Sequence, residues 1–204
     1  MVINKELLSS NAASLGVDLS EDMLDKFDLL ASLLIEQNKT MNLTAITQPN
    51  EVVVKHFADS LSLLSAIEVP QGAKVLDLGT GAGFPGLPLL IARPDIRLTM
   101  VDSTAKKLAY VASTLDKLSL SAETLHARAE EAGKDPAYRE QYDIVCSRAV
   151  AALNVLCEYC LPFVKVGGTF VAMKSAKAQE ELQLAEKAIS TLGGKMVGQK
   201  SFTL

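Results

Sequence analysis

The segment KVLDLGTGAGFPG, residues 74–86, constrains this chain more than any other: a strand-like apolar run ends in four glycines within eight positions, Gly79, Gly81, Gly83 and Gly86. Glycine is used at that density where the backbone must bend through conformations closed to other residues, or where a ligand must come close to it. From there the chain alternates regularly. Strands are expected at 74–78, 97–102, 122–126, 142–146 and 168–173, with helices at about 85–92, 104–118, 128–133, 150–163 and 176–191. That alternation predicts an α/β fold, a doubly wound, mostly parallel Rossmann-like sheet with helices on both faces. Ligands of such sheets sit off the carboxyl ends of the strands, so the working residues are expected just after each strand.

The part before the first strand reads differently. Ser20 is a helix N-cap with Glu21 and Asp22 in the first turn, and Leu24, Phe27, Ala31 and Leu34 recur at helical spacing. After a polar connection, Asn50 is expected to cap a second helix with the stripe Val53, Phe57, Leu61, Leu64. Residues 1–70 are therefore an N-terminal helical extension packed on a core domain of residues 71–204.

Two ligands compete for the glycine loop. Gly81-Ala-Gly83-Phe-Pro-Gly86 fits the dinucleotide pattern, with Asp102 at the distance of a ribose-binding acid. Asp77-Leu-Gly79-Thr-Gly81-Ala-Gly83 fits instead the D-x-G-x-G-x-G turn of S-adenosylmethionine-dependent methyltransferases, where Asp102 again takes the ribose hydroxyls. A carboxylate at Asp77, inside the strand, repels a pyrophosphate and suits a cationic cofactor. A nicotinamide enzyme also needs a substrate domain, and the strand–helix pattern uses up everything after Asp102. The methyltransferase parse is preferred.

The rest of the chain sets outer limits. It has 204 residues, 49% of them hydrophobic, and a mean hydropathy of +0.21, as expected of a well-packed globular protein. No apolar run reaches the length of a membrane span, and MVINKELLSS lacks a signal-like core, so a cytoplasmic location without membrane contact is expected. The net charge is −4, but the acidic excess lies in the first 60 residues and residues 161–204 are basic, which leaves an RNA partner open. Three cysteines suggest no disulfide framework. Cys157 and Cys160 fall on an apolar helical stripe with Leu153 and Leu156, so they read as core and no metal site is expected.

The stretches MNLTAITQPNEVVVKHFADSL, VLDLGTGAGFPGLPL, TMVDSTAKKLAYV, HARAEE, VCSRAVAAL and FVAMKS follow one another as in the glucose-inhibited division protein B family, and the resemblance runs from about residue 25 to 175. That family consists of bacterial 16S ribosomal RNA guanine-N7 methyltransferases. The resemblance implies S-adenosylmethionine as cofactor, with contacts at Gly79, Phe84, Ala129, Glu130 and Arg148. It also places Asn42, Arg128 and Lys174 near the target base, with Arg148 beside the base as well as the cofactor. The partner it implies is small-subunit ribosomal RNA, free or in the 30S particle, met by a monomer. Family members continue past another strand pair, whereas this chain stops at QKSFTL, so its C-terminal end is expected to be truncated.

The residues agree with such chemistry. Guanine N7 has an in-plane lone pair and no proton to lose, so no general base is required. The fourth strand ends in Ser147-Arg148-Ala149, without the Asn/Asp-Pro-Pro-aromatic run of exocyclic-amine methyltransferases. Arg148 and Lys174 are expected to serve guanine O6 or phosphate, since the methylated base becomes cationic. His56 and Asp59 stand one helical turn apart and read as a helix-face hydrogen bond. A nicotinamide oxidoreductase and a non-catalytic RNA-binding factor on the same fold are the competing readings.

Overall fold

The structure is a computed structural model and describes residues 2–174 and 178–203. Helices α1 (Lys5–Ser14) and α2 (Glu21–Met41) come first, and Ser20 caps α2 by accepting the Met23 amide, as expected. Next, α3 (Pro49–Val52), a π-helical turn (Val53–Ala58) and α4 (Asp59–Ala66) form one continuous rod. Asn50 does not cap it. Gln48 holds the cap position and Pro49 opens the helix, where a missing N–H costs nothing.

The alternating part gives β1 (Lys74–Leu78), α5 (Gly86–Ala92), β2 (Arg97–Asp102), α6 (Ala105–Leu118), β3 (Glu123–His126), α7 (Ala129–Ala132), β4 (Tyr142–Arg148), α8 (Leu153–Cys160), β5 (Val164–Met173) and α9 (Ala178–Thr191). All five strands are parallel, in the order β3-β2-β1-β4-β5. Two boundaries differ from expectation. The helix expected from 150 starts at Leu153, because Ala149 takes a left-handed turn (φ 57°). The last strand starts at Val164, not 168: Tyr142 pairs with Val164 and Ile144 with Thr169, so the glycines between them bulge out of register. Of the helix expected over 176–191, residues 176 and 177 lie outside the described residues.

Strand alternation divides the core between two faces. Val75, Leu98, Met100, Ile144 and Cys146 point to one face, with α5 and α6 and with Phe27, Leu30 and Leu34 of α2. Leu76, Leu78, Val101 and Val145 point to the other, with Ala132, Leu156, Cys160 and Phe163. The N-terminal helices thus share a continuous apolar cluster with the sheet. Phe57 of the π turn is fully buried between Phe27 and Phe84, at ring distances of 4.9 Å and 6.2 Å. The chain order reverses between β1 and β4, which puts the switch point beside the glycine loop. No helix among the described residues is long and apolar enough to cross a membrane.

Candidate active site

Gly79 and Lys174 directly follow β1 and β5, and Asp102 and Arg148 end β2 and β4, so these four lie at the carboxyl ends of the strands. In the loop after β1, Gly79, Gly81 and Gly83 have φ of 72°, 57° and 94°, a region in which a side chain is strained. A Cβ on Gly79 would run into Val150, and one on Gly83 into Leu87. Beside Gly81 the nearest atom would be the Gly79 carbonyl oxygen at 3.8 Å, so the loop is open there.

Two carboxylates hold this loop. Oδ2 of the fully buried Asp77 accepts the Thr80 hydroxyl at 2.7 Å and the Gly86 amide at 2.9 Å, tying the loop's two ends together. Asp102, at the end of β2, accepts the Gly81 amide through Oδ2 (2.9 Å) and the Thr104 amide through Oδ1 (2.8 Å). Each of its oxygens keeps a further acceptor position for a hydroxyl. Asp77 Oδ1 has no partner among the described residues. An open glycine turn over an unpartnered buried carboxylate oxygen suits a ligand with a cationic end, and S-adenosylmethionine has two cationic groups, an ammonium and a sulfonium.

Burial raises Asp77 to about 6, although the Thr80 and Gly86 hydrogen bonds and Arg148 act against it. The fold therefore holds this proton more tightly than the unfolded chain does. The stabilisation is complete below the ordinary carboxylate pKa and is lost as pH rises through 6, so at pH 7 the ionised group is a strain on the fold. Asp77→Asn is expected to gain stability relative to wild type by about 2–3 kcal/mol between pH 4 and pH 7.5. Urea unfolding of both proteins at the two pH values measures this, and a constant difference would mean that Asp77 titrates normally.

Arg148, the last residue of β4, turns away from the sheet to the rod of α3, the π turn and α4. Its Nη1 donates to Asp59 Oδ2 at 2.6 Å and to the Lys55 carbonyl at 3.3 Å, its Nη2 faces His56 Nδ1 at 3.1 Å, and its guanidinium carbon lies 5.2 Å from the centre of the Phe84 ring. The π turn makes this possible. In an α-helix the Asp59 amide would donate to Lys55, but here it donates to Val54 and His56, leaving the Lys55 carbonyl to Arg148. His56 stacks on Phe84 at 4.6 Å with the rings 8° from parallel. Because arginine only donates, His56 Nδ1 accepts, and Nε2 carries the proton to the Thr44 hydroxyl at 2.9 Å. Burial and the neighbouring Arg148 lower the His56 pKa to about 4, keeping the ring neutral.

The helix-face hydrogen bond expected between His56 and Asp59 is thus replaced by a bridge through Arg148. The partners lie 89 and 92 residues apart in sequence, so spacing could not have shown it. Thr44 was not among the site residues expected from the sequence. Its neighbour Asn42 is exposed and closes α2 in the left-handed conformation (φ 48°, ψ 51°). Arg128 is exposed at the N-cap position of α7, followed by half-buried Ala129 and exposed Glu130. Among the described residues no hydrogen bond or ion pair ties Arg128 or Glu130 to the Arg148 cluster. Lys174 follows β5 and is already engaged: Nζ donates to the Ala151 carbonyl and pairs with Glu181, both at 2.7 Å, while Glu181 also accepts the Leu153 amide at 2.8 Å. It therefore braces residues 149–152, the segment that lays Val150 on Gly79. Cys157 and Cys160 are buried in the core.

The sequence profile of the GidB family, described as rRNA small subunit methyltransferase G, matches residues 23–203. This chain belongs to that family. The match extends beyond the 25–175 stretch of recognisable motifs and takes in every site residue named above. Among similar proteins, the ribosomal RNA small subunit methyltransferase G of Pelotomaculum thermopropionicum is 48% identical over 197 residues, covering 96% of this chain and 82% of that one. Its counterpart in Alkaliphilus metalliredigens is 44% identical, covering 98% and 84%. In solved structures the fold resembles a SAM-dependent O-methyltransferase from Thermotoga maritima (TM-score 0.55, 19% identity, 78% of this chain and 55% of that chain). It also resembles a SAM-dependent methyltransferase from Aquifex aeolicus (TM-score 0.52, 21% identity, 71% and 82%). Family membership sets aside the oxidoreductase reading.

Proposed function

We propose that this GidB-family chain methylates N7 of a guanine in small-subunit ribosomal RNA, with S-adenosylmethionine as the methyl donor. Membership of a family described as rRNA small subunit methyltransferase G supports the reaction class. The observation that carries base-free transfer is the state of His56, whose two ring nitrogens are both occupied and whose ring is held neutral by burial. Such an imidazole is not poised to take a proton from a substrate, and N7 has none to give.

Bound S-adenosylmethionine supplies the methyl group, and the protein's part is to place and shield the reactants. The open side of Gly81 and the carboxylate of Asp102 hold the cofactor, with Asp77 fixing the loop from beneath. Phe84 contacts the cofactor, and Arg148 stands beside both the cofactor and the base. In-line alignment in a water-poor cleft lowers a barrier by about 7–11 kcal/mol in favourable cases. The target guanine sits in a loop or is drawn out of a helix, since N7 must meet the methyl carbon head-on. Asn42 and Arg128, both exposed, contact the RNA. We place the reaction in the cytoplasm and on a monomer, with naked rRNA and the 30S particle both open as substrate forms.

Mapping 7-methylguanosine in small-subunit rRNA from cells with and without the protein tests the reading. A mark that persists in its absence removes it. Lys174→Ala should lower methyl transfer about tenfold, equivalent to about 1.4 kcal/mol, by releasing residues 149–152. Its KM for S-adenosylmethionine should rise, and an unchanged single-turnover rate takes Lys174 out of the site.

A further inference from the structure

The Arg148 guanidinium has five N–H donors, and the described residues engage three of them, through Asp59, the Lys55 carbonyl and His56. Two remain for a ligand. The ion pair with Asp59 is close (2.6 Å), and the arginine side chain is only 14% exposed, so its charge is poorly screened by water. The surrounding groups leave Asp59 as its direct counter-charge. His56 is neutral, Lys55 is paired with Glu51 at 2.5 Å, and Asp77 acts on Arg148 only through space, from beneath the loop.

We propose that Asp59 is a charge-compensating and positioning residue for methyl transfer: it holds Arg148 against His56 and Phe84 and cancels its charge, so that the guanidinium donates hydrogen bonds without opposing a cationic reactant. The inference rests on the methyltransferase reading, because that reaction carries a positive charge throughout. The sulfur–methyl bond breaks with its electron pair left on sulfur, the N7 lone pair forms the new bond to the methyl carbon, and the charge passes from sulfonium to purine. A bare arginine beside this path would disfavour both the charged cofactor and the charged product. An Arg–Asp pair offers the same donors with almost no net charge.

The test uses the whole chain and two ligands that differ in the sulfonium, S-adenosylmethionine and the neutral thioether S-adenosylhomocysteine. Asp59→Asn keeps an acceptor for Arg148 and removes the charge. Calorimetric titration is expected to show S-adenosylmethionine weakened about tenfold and S-adenosylhomocysteine by no more than about twofold. Asp59→Glu keeps the charge and should retain the wild-type ratio of the two affinities, even where the longer side chain shifts both. Thermal unfolding run in parallel shows whether each variant is folded. An equal loss for both ligands in Asp59→Asn would make Asp59 merely structural and overturn the inference, as would an unchanged ratio. If Asp59→Asn does not fold, the ratio in Asp59→Glu decides, and a lower ratio there is equally fatal. Wild-type protein that binds neither ligand would overturn the methyltransferase reading itself.

Discussion

Arg148→Ala is expected to slow methyl transfer at least about a hundredfold, a loss of about 2.7 kcal/mol of transition-state stabilisation. It is also expected to destabilise the fold by about 2–4 kcal/mol. Both effects come from the same geometry. Truncation strips the half-buried Asp59 carboxylate of its cation, leaves His56 Nδ1 and the Lys55 carbonyl without their donor, and uncovers one side of Phe84. Arg148→Lys should not rescue the rate, because a single ammonium cannot reach three acceptors in a fork and still present free donors. The measurement is single-turnover methylation of small-subunit rRNA at saturating cofactor, with urea unfolding alongside. A rate within threefold of wild type would remove Arg148 from the site, whatever its effect on stability.

Phe57→Ala is expected to cost about 3–5 kcal/mol of stability, since it deletes a fully buried ring from a packed cluster. Its position makes the consequence more than local. Phe57 joins Phe27 of α2 to Phe84 of the glycine loop, so the cavity opens between the N-terminal helices and that loop. Cofactor affinity should fall with stability. If residues 1–70 pack as an extension of the core domain, circular dichroism should record a single melting transition for wild type and variant alike. A variant in which the helices melt first, with the sheet region keeping its wild-type midpoint, would show residues 1–70 to be an independent unit.

The sequence carried what depends on local periodicity. The change of period near residue 74 announced the sheet, and the strands fell within a few residues of the predicted runs, except that the last starts at Val164 rather than 168 because its glycines bulge out of register. The glycine loop and Asp102 were legible for a related reason: the turn demands glycine, and the acid lies one strand–helix–strand unit away, a fixed distance in any doubly wound sheet. Family resemblance pointed to Arg148. Its partners were invisible, since Asp59 and His56 reach it only after the chain has folded across some 90 residues. Lys174 shows the opposite limit. It was expected to serve guanine O6 or phosphate, and nothing in its local sequence marked Glu181 of the next helix as the acid it pairs with.

What the sequence by itself determined is therefore the sheet and the glycine loop, since each follows from the conformational limits of short contiguous segments. What only the tertiary structure decided is the charge state and orientation of the groups around that loop. Asp77 is raised by a burial that no local pattern encodes, and His56 is neutral because its ring is packed on Phe84 beside a guanidinium. Arg148 can act as a donor of little net charge because a π turn frees one carbonyl and the helix that follows it lends one carboxylate. Electrostatics depends on distance through space, and distance through space is what a linear sequence leaves open.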